Sequence, residues 1–325
     1  VREALFIKKN KDKWSKAEQS PDADADELAN DFTEMVNDLA YAKTFYPSSK
    51  VTQFLNGQAA KIYLDIYENR REESNRLVTF WKYDLPLIIR KYHRVILFMF
   101  IFFCVFFIVG FFSAKQDEGF TAKVLGSEYV EKTIDNIDKG NPFGIYESGG
   151  SFLSWMGIMI NNLRVSFTYF VEGLAFGIIT IQSIMHESIR IGAFHHLFFS
   201  RGLGIQWALS VMIHGTLEIW SLIVSGSAGV ILGIGFLFPG TMRRIDSLKS
   251  AAKDGVKIMV GICPFFMTAA FFEGFLTRHY QSYFIFRGDW PLLVLILSLG
   301  FIVWYFILYP IRLQKKMASP IYEDV

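Results

Sequence analysis

His214 and Glu218 stand four residues apart inside the apolar stretch QWALSVMIHGTLEIWSLIVSGSAGVILGIGFLFP, Gln206 to Pro239. An ionisable group in such a run is expensive to bury and marks a functional position unless a partner satisfies it. Residues four apart share a helix face, so a helix starting near Gly215 presents the imidazole and the carboxyl together. Such a pair can be a buried hydrogen bond that fixes helix packing, a proton relay, or two ligands of a metal site. Glu172 and Glu273 each sit in an apolar span directly before a glycine, a context of packed carboxyls more than of a catalytic dyad. Asn161 and Asn162 interrupt another apolar stretch and suit the cap of the span that follows. HESIR, 186–190, holds the first half of a zincin HExxH but lacks its second histidine. The adjacent His195 and His196 suit a headgroup boundary. No GxSxG elbow, P-loop or Rossmann glycine pattern occurs. These residue types assign no catalytic group, metal or cofactor, and the chain reads as a non-enzyme.

The elements that must hold these groups follow from hydropathy. The 325 residues are 52% hydrophobic, and apolar runs long enough for a membrane span recur after residue 94 but are rare before it. The pattern predicts an all-α, polytopic helical membrane protein with an N-terminal cytosolic helical bundle. A formal net charge of +2 implies no nucleic-acid partner. Cys104 and Cys263 lie in apolar runs without ligand spacing and read as small buried hydrophobes.

In the N-terminal domain, 1–93, an amphipathic helix over 2–20 carries Phe6 and Trp14. SPDADADE offers a cap for the next helix, whose packed stripe is Leu28, Phe32, Val36 and Leu39. Pro47 breaks it, and a third helix runs from Val51 through Tyr67. The opening VREALFIKKNKDKW is too charged for a secretory signal, so the first span, 94–114, is expected to act as an uncleaved anchor. Lys82, Arg90, Lys91 and Arg94 precede it and place the N-terminal domain in the cytoplasm. Acidic groups dominate 115–150, which reads as extracytoplasmic. The helical membrane domain spans 151–312, with a crossing at Leu163–Ile184, a cytoplasmic loop at 186–204, crossings at Lys257–Leu276 and Pro291–Pro310, and a cytosolic tail, 313–325. RHYQSYFIFRGDW, 278–290, marks the outer interface.

With 186–204 and the basic segment 240–257 both inside, the His214 stretch must enter and leave on one side. Its length as helix, about 51 Å, falls short of two crossings of about 30 Å. A hairpin over 205–239, broken at His214-Gly215 and covered by protein, satisfies that parity. The small-residue spacings Gly173/Gly177 and Gly226/Gly229/Gly233 favour close helix packing or self-association into a homo-oligomer.

The chain resembles the stage II sporulation protein M family of integral membrane proteins. The resemblance rests on RExxFIxxNKxxW from Arg2 to Trp14, NNLRV at 161–165, Gly173, Gly177 and Thr180. It continues through HGTLEI at 214–219, Ser225, Gly226, Gly229 and AAFFEGFLT at 269–277. It implies a bacterial inner-membrane scaffold of a cell-envelope complex, holding peptidoglycan hydrolases or accompanying a MoxR-type AAA+ ATPase. The residues leave two alternatives: a transporter or channel with a polar path through Glu172, His214, Glu218 and Glu273, and an intramembrane metal-dependent hydrolase.

Overall fold

The computed structural model describes residues 3–18, 25–68, 76–144, 151–277 and 290–318. It is 89% helical without strands among the described residues, as the all-α reading requires. The chain divides into two compact units, Val1–Leu77 and Val78–Val325. The first unit therefore ends earlier than residue 93: Leu85, Ile88 and Ile89 are buried in the core of the second.

The first unit contains α1 (Glu3–Glu18), α2 (Ala25–Phe45) and α3 (Lys50–Glu68). Phe6 and Trp14 of α1 pack with Met35, Leu39 and Ala42 of α2 and with Leu55, Ala59 and Ile62 of α3. The buried stripe of α2 is shifted from the expected one, since Met35 is inside while Val36 is 39% exposed. The indole N–H of Trp14 donates to the Asp38 carboxylate at 2.9 Å, and Lys13 reaches the same oxygen at 3.3 Å. The Thr52 hydroxyl donates to the Tyr46 carbonyl at 2.7 Å and closes the α2–α3 corner. The cap in SPDADADE and the charged run after α3 lie largely outside the described residues.

α4 (Arg76–Thr79) straddles the boundary, and the second unit continues through a π turn into α5 (Leu85–Lys91) and then α6 (His93–Gln116). Two short helices, α7 (Phe120–Leu125) and α8 (Ser127–Asp138), follow. Next come α9 (Ser151–Glu172), α10 (Ile178–Phe199), α11 (Gly204–Leu237) and α12 (Arg244–Phe271). A π turn, Phe272–Leu276, extends α12, and α13 (Trp290–Val303) continues through a third π turn into α14 (Tyr309–Ala318). Among the described residues, four helical segments are long and apolar enough to cross a membrane: His93–Gln116, Gly204–Leu237, Arg244–Leu276 and Trp290–Met317. Their surroundings differ sharply. Only 22% of the α6 window is buried inside the protein, against 78% for α11. The exposed face of α6 is apolar throughout, with Leu97, Phe100, Val105 and Phe112 outward, the surface a hydrocarbon environment requires. α11 is the buried axis.

Two expectations are corrected. α11 is one continuous helix of 34 residues, unbroken at His214-Gly215. A Cβ on Gly215 would meet only ordinary contacts from 3.6 Å outward, so nothing at that position demands a turn. The chain reverses instead within the segment expected to cross once, Leu163–Ile184. There α9 ends at Glu172 and α10 begins at Ile178, with Phe176 at φ 58° and Gly177 at φ 77°. Left-handed backbone of this kind is unstrained for glycine, and two such residues in succession end a helix firmly.

That turn also resolves the parity problem. Ser166 bonds Ser225 at 2.5 Å and Tyr169 lies against Gly229, so α9 and α11 run parallel. Ile184 packs on Gly226 while Gly177 faces Gly233, so α10 runs antiparallel to α11. Phe107 meets Gly192 and Phe111 meets His196 and Phe199, which makes α10 parallel to α6. The start of α11 and the end of α10 consequently share one end with α7–α8. Phe194, Phe198, Trp207 and Val211 form a single apolar cluster with Val130 and Phe143. The segment 186–204 thus lies at the same end as 115–144, not opposite it.

Candidate functional site

α11 carries polar groups through the core because most of its hydroxyls are satisfied locally. Thr216, Ser221, Ser225 and Ser227 each donate to the carbonyl four residues earlier, at 2.6–2.7 Å. His214 and Glu218 lie one turn apart on the same helix, and their partners come from elsewhere. The π turn that prolongs α12 brings in Glu273, whose Oε2 is 4.0 Å from His214 Nε2. Thr277 follows directly: its hydroxyl lies 2.9 Å from His214 Nδ1 and donates to the Ser210 carbonyl at 3.2 Å. Asn162 of α9 stands beside the Glu218 carboxyl.

These groups line a cavity of about 520 Å³ together with Glu187 and Arg190 of α10 and Tyr129 of α8. Arg190 pairs with Glu187 at 3.1 Å. Burial, followed by the neighbouring Glu273 carboxylate, pushes the Tyr129 phenol above its ordinary pKa, with Arg190 pulling the other way. The pocket is amphipathic, with Leu125, Ile158, Phe194 and Leu222 forming much of its wall. A second cavity of about 610 Å³ lies on the neighbouring face of α11, between Phe100, Trp220, Leu299 and Phe306, and is apolar.

The other sequence-marked groups lie apart from this cluster. Glu172 ends α9 next to Gly173, which faces Gly229. Gly229 is fifteen residues beyond His214 on α11, about 22 Å along the axis. Asn161 and Gly215 line the pocket, but Asn161 and Asn162 are in mid-helix and cap nothing. The five marked glycines are spent inside the chain. A Cβ on Gly173 would fall 2.1 Å from the Gly229 carbonyl, and one on Gly233 2.4 Å from the Gly177 amide. Gly226 lies against Ile184. A homo-oligomer would have to use other faces.

Reading residues alone missed Glu187, Arg190, Tyr129, Trp207 and Thr277 as members of the site. The Glu187–Arg190 spacing inside HESIR was a usable signal, since residues three apart on a helix can pair. Thr277 had none until Glu273 was placed, because its role depends on where the π turn aims it.

Buried carboxyls, a histidine and a polar pocket inside a bundle of apolar helices define a polytopic membrane protein with an intramembrane polar site. The chain matches the family model described as Stage II sporulation protein M over residues 99–278, more than half its length, and it belongs to that family. Residues 4–68 match a second family model, a domain of unknown function (DUF8413). No curated protein and no solved structure matches the chain.

Proposed function

We propose that this chain is a bacterial inner-membrane scaffold, an assembly component of a cell-envelope complex whose partners are peptidoglycan hydrolases or a MoxR-type AAA+ ATPase. The observation that carries this reading is the close-packed axis of the membrane unit. Between the level of His214 and that of Gly229, the hydroxyls of Ser221 and Ser225 are taken up by backbone carbonyls, and Ser225 also meets Ser166. Tyr169, Ile184 and Gly229 close the rest. Glu172 lies at the level of Gly229, about 22 Å along the axis from His214 and about 16 Å from Glu218. This arrangement favours a rigid holding body over a polar path. Family membership supports the envelope setting.

In this reading α6, α9, α10, α11, α12 and α13 cross the bilayer, six in all, which puts α5 and α14 on one side. Arg90, Lys91, Arg243, Arg244, Lys315 and Lys316 lie towards that side, which supports reading it as cytoplasmic. α7 and α8, with Asp117, Glu118, Glu128 and Glu131, then face outward. Affinity purification from the native membrane, followed by partner identification, tests the proposal. It predicts a stoichiometric envelope protein in the eluate. A chain recovered only by itself, in a detergent that preserves other envelope complexes, overturns it.

A further inference from the structure

We propose that His214, Glu218 and Glu273 bind a divalent cation of the zinc class, with a further coordination position open to the pocket. One ligand atom from each residue lies within 4.8 Å of the others. Metal–ligand bonds of about 2.0–2.2 Å place tetrahedral ligand atoms about 3.3 Å apart, so closure requires their separations to shrink by about 1.5 Å at most. Rotation of the two glutamate side chains supplies a change of that size. One nitrogen and two oxygens suit zinc and its neighbours, whereas magnesium and calcium favour all-oxygen shells. Three protein ligands rather than four leave the next position to water or to a bound group.

The imidazole is oriented for this role. The Thr277 hydroxyl gives its one proton to the Ser210 carbonyl, so towards His214 it is an acceptor and Nδ1 carries the hydrogen. In the neutral ring the lone pair is then on Nε2, the nitrogen directed at Glu273. Fixing the tautomer through the far ring nitrogen is how outer partners orient a metal-binding histidine.

A second observation points to a ligand independently of the cluster. Asn162 and Trp207 are only 7% and 3% exposed, and both line the pocket. The Asn162 amide is taken up by the Glu218 carboxyl, but the Trp207 indole nitrogen makes no hydrogen bond among the described residues. A buried donor left without an acceptor is destabilising. A polar group of a ligand occupying the pocket would give the Trp207 indole an acceptor. With Arg190 paired to Glu187, the buried Glu218 and Glu273 carboxyls still need a counter-charge or a proton each, and a divalent cation meets that need. The inference concerns the membrane unit alone and does not depend on the scaffold reading.

The test uses the full chain, purified in detergent and equilibrated with zinc and, separately, with cobalt. We expect stoichiometric zinc by elemental analysis and, with cobalt, visible absorption bands of a low-coordinate site. Glu218→Gln and Glu273→Gln, which keep shape and hydrogen-bonding capacity, should abolish both signals, whereas Glu172→Gln should retain them. Thr277→Val should weaken zinc binding about 10- to 100-fold while leaving stoichiometry reachable, the effect of a lost outer partner. Wild-type protein that takes up neither metal overturns the proposal, as does unchanged uptake in the Glu273→Gln variant. Should a variant fail to elute as a monodisperse species, the wild-type cobalt spectrum decides by itself whether nitrogen and oxygen ligands hold the ion. Failure here would leave partner recovery untouched, so the two readings are separable.

Discussion

Gly229→Ala is the sharpest probe of the packed axis. The added methyl would fall 2.3 Å from the Tyr169 carbonyl oxygen and 2.7 Å from the Thr180 hydroxyl, where ordinary contact begins near 3.4 Å. The carbonyl belongs to helix backbone and cannot rotate away. The Thr180 hydroxyl is held too, since it donates to that same carbonyl at 2.9 Å. α9 and α10 must therefore both retreat from α11, by about 1 Å. Overpacking of this kind costs about 1–3 kcal/mol. Loss of the Thr180 hydrogen bond adds about 1 kcal/mol, and the better helix propensity of alanine returns about 1 kcal/mol. The net loss is about 2 kcal/mol, roughly thirtyfold in the folding equilibrium. Gly300→Ala in α13 is the control, because a Cβ there meets nothing within 4 Å. Heating the detergent-solubilised full chain and measuring the surviving monodisperse fraction by size exclusion should show Gly229→Ala melting clearly below wild type and Gly300→Ala at or above it. If Gly229→Ala survives as well as Gly300→Ala, the account of the α9–α11 contact is wrong.

In the first unit, Asp38→Ala removes the acceptor of the Trp14 indole and should cost about 1.5–3 kcal/mol, the range for hydrogen bonds to a charged group. Limited proteolysis of the full chain should cut α1–α3 faster, and an unchanged cleavage rate would count against the Trp14–Asp38 contact as a tether. At Asp117, the Lys123 ammonium and then the Gly119 amide hold the carboxyl below its ordinary value of 3.8. A carboxyl with a depressed folded-state pKa stabilises above its unfolded value, and that contribution disappears as pH falls through the folded one. A carboxyl-detected NMR titration should give a midpoint below 3.8 that rises in Lys123→Ala; equal midpoints in the two proteins would remove Lys123 as the cause.

How much could be read from residues alone varies with the kind of signal. α6 was placed to within two residues at each end because a lipid-facing helix is apolar on every side and stops where charge begins. The reversal at 173–177 was hidden because its residues, Gly-Leu-Ala-Phe-Gly, are as apolar as the helices they join, and hydropathy cannot see a turn without polar groups. That one omission reversed the inferred side of 186–204 and forced a break into α11 that the chain does not have. Met35 displaced Val36 from the core of α2 because a four-residue step and a three-residue step are equally compatible with helical spacing until a partner helix is fixed. His214, Glu218 and Glu273 were legible as polar groups in apolar surroundings. Their convergence was not, since it depends on the π turn at Phe272–Leu276 rotating Glu273 and Thr277 toward α11.

The burial of α11 also sets an order in time. α6, apolar all round, can enter a bilayer by itself as it leaves the ribosome. α11 carries a histidine, a glutamate and several serines on surfaces that 78% burial reserves for protein neighbours. Two of those neighbours, α9 and α10, are synthesised before it and can receive it. The third, α12, comes after, and Glu273 and Thr277 lie in its last turns and just beyond. Until some sixty further residues have been made, His214 waits in the membrane without the groups that complete its surroundings. The pocket can close only once the end of α12 has arrived, so any slowing of α12 insertion strikes the site directly.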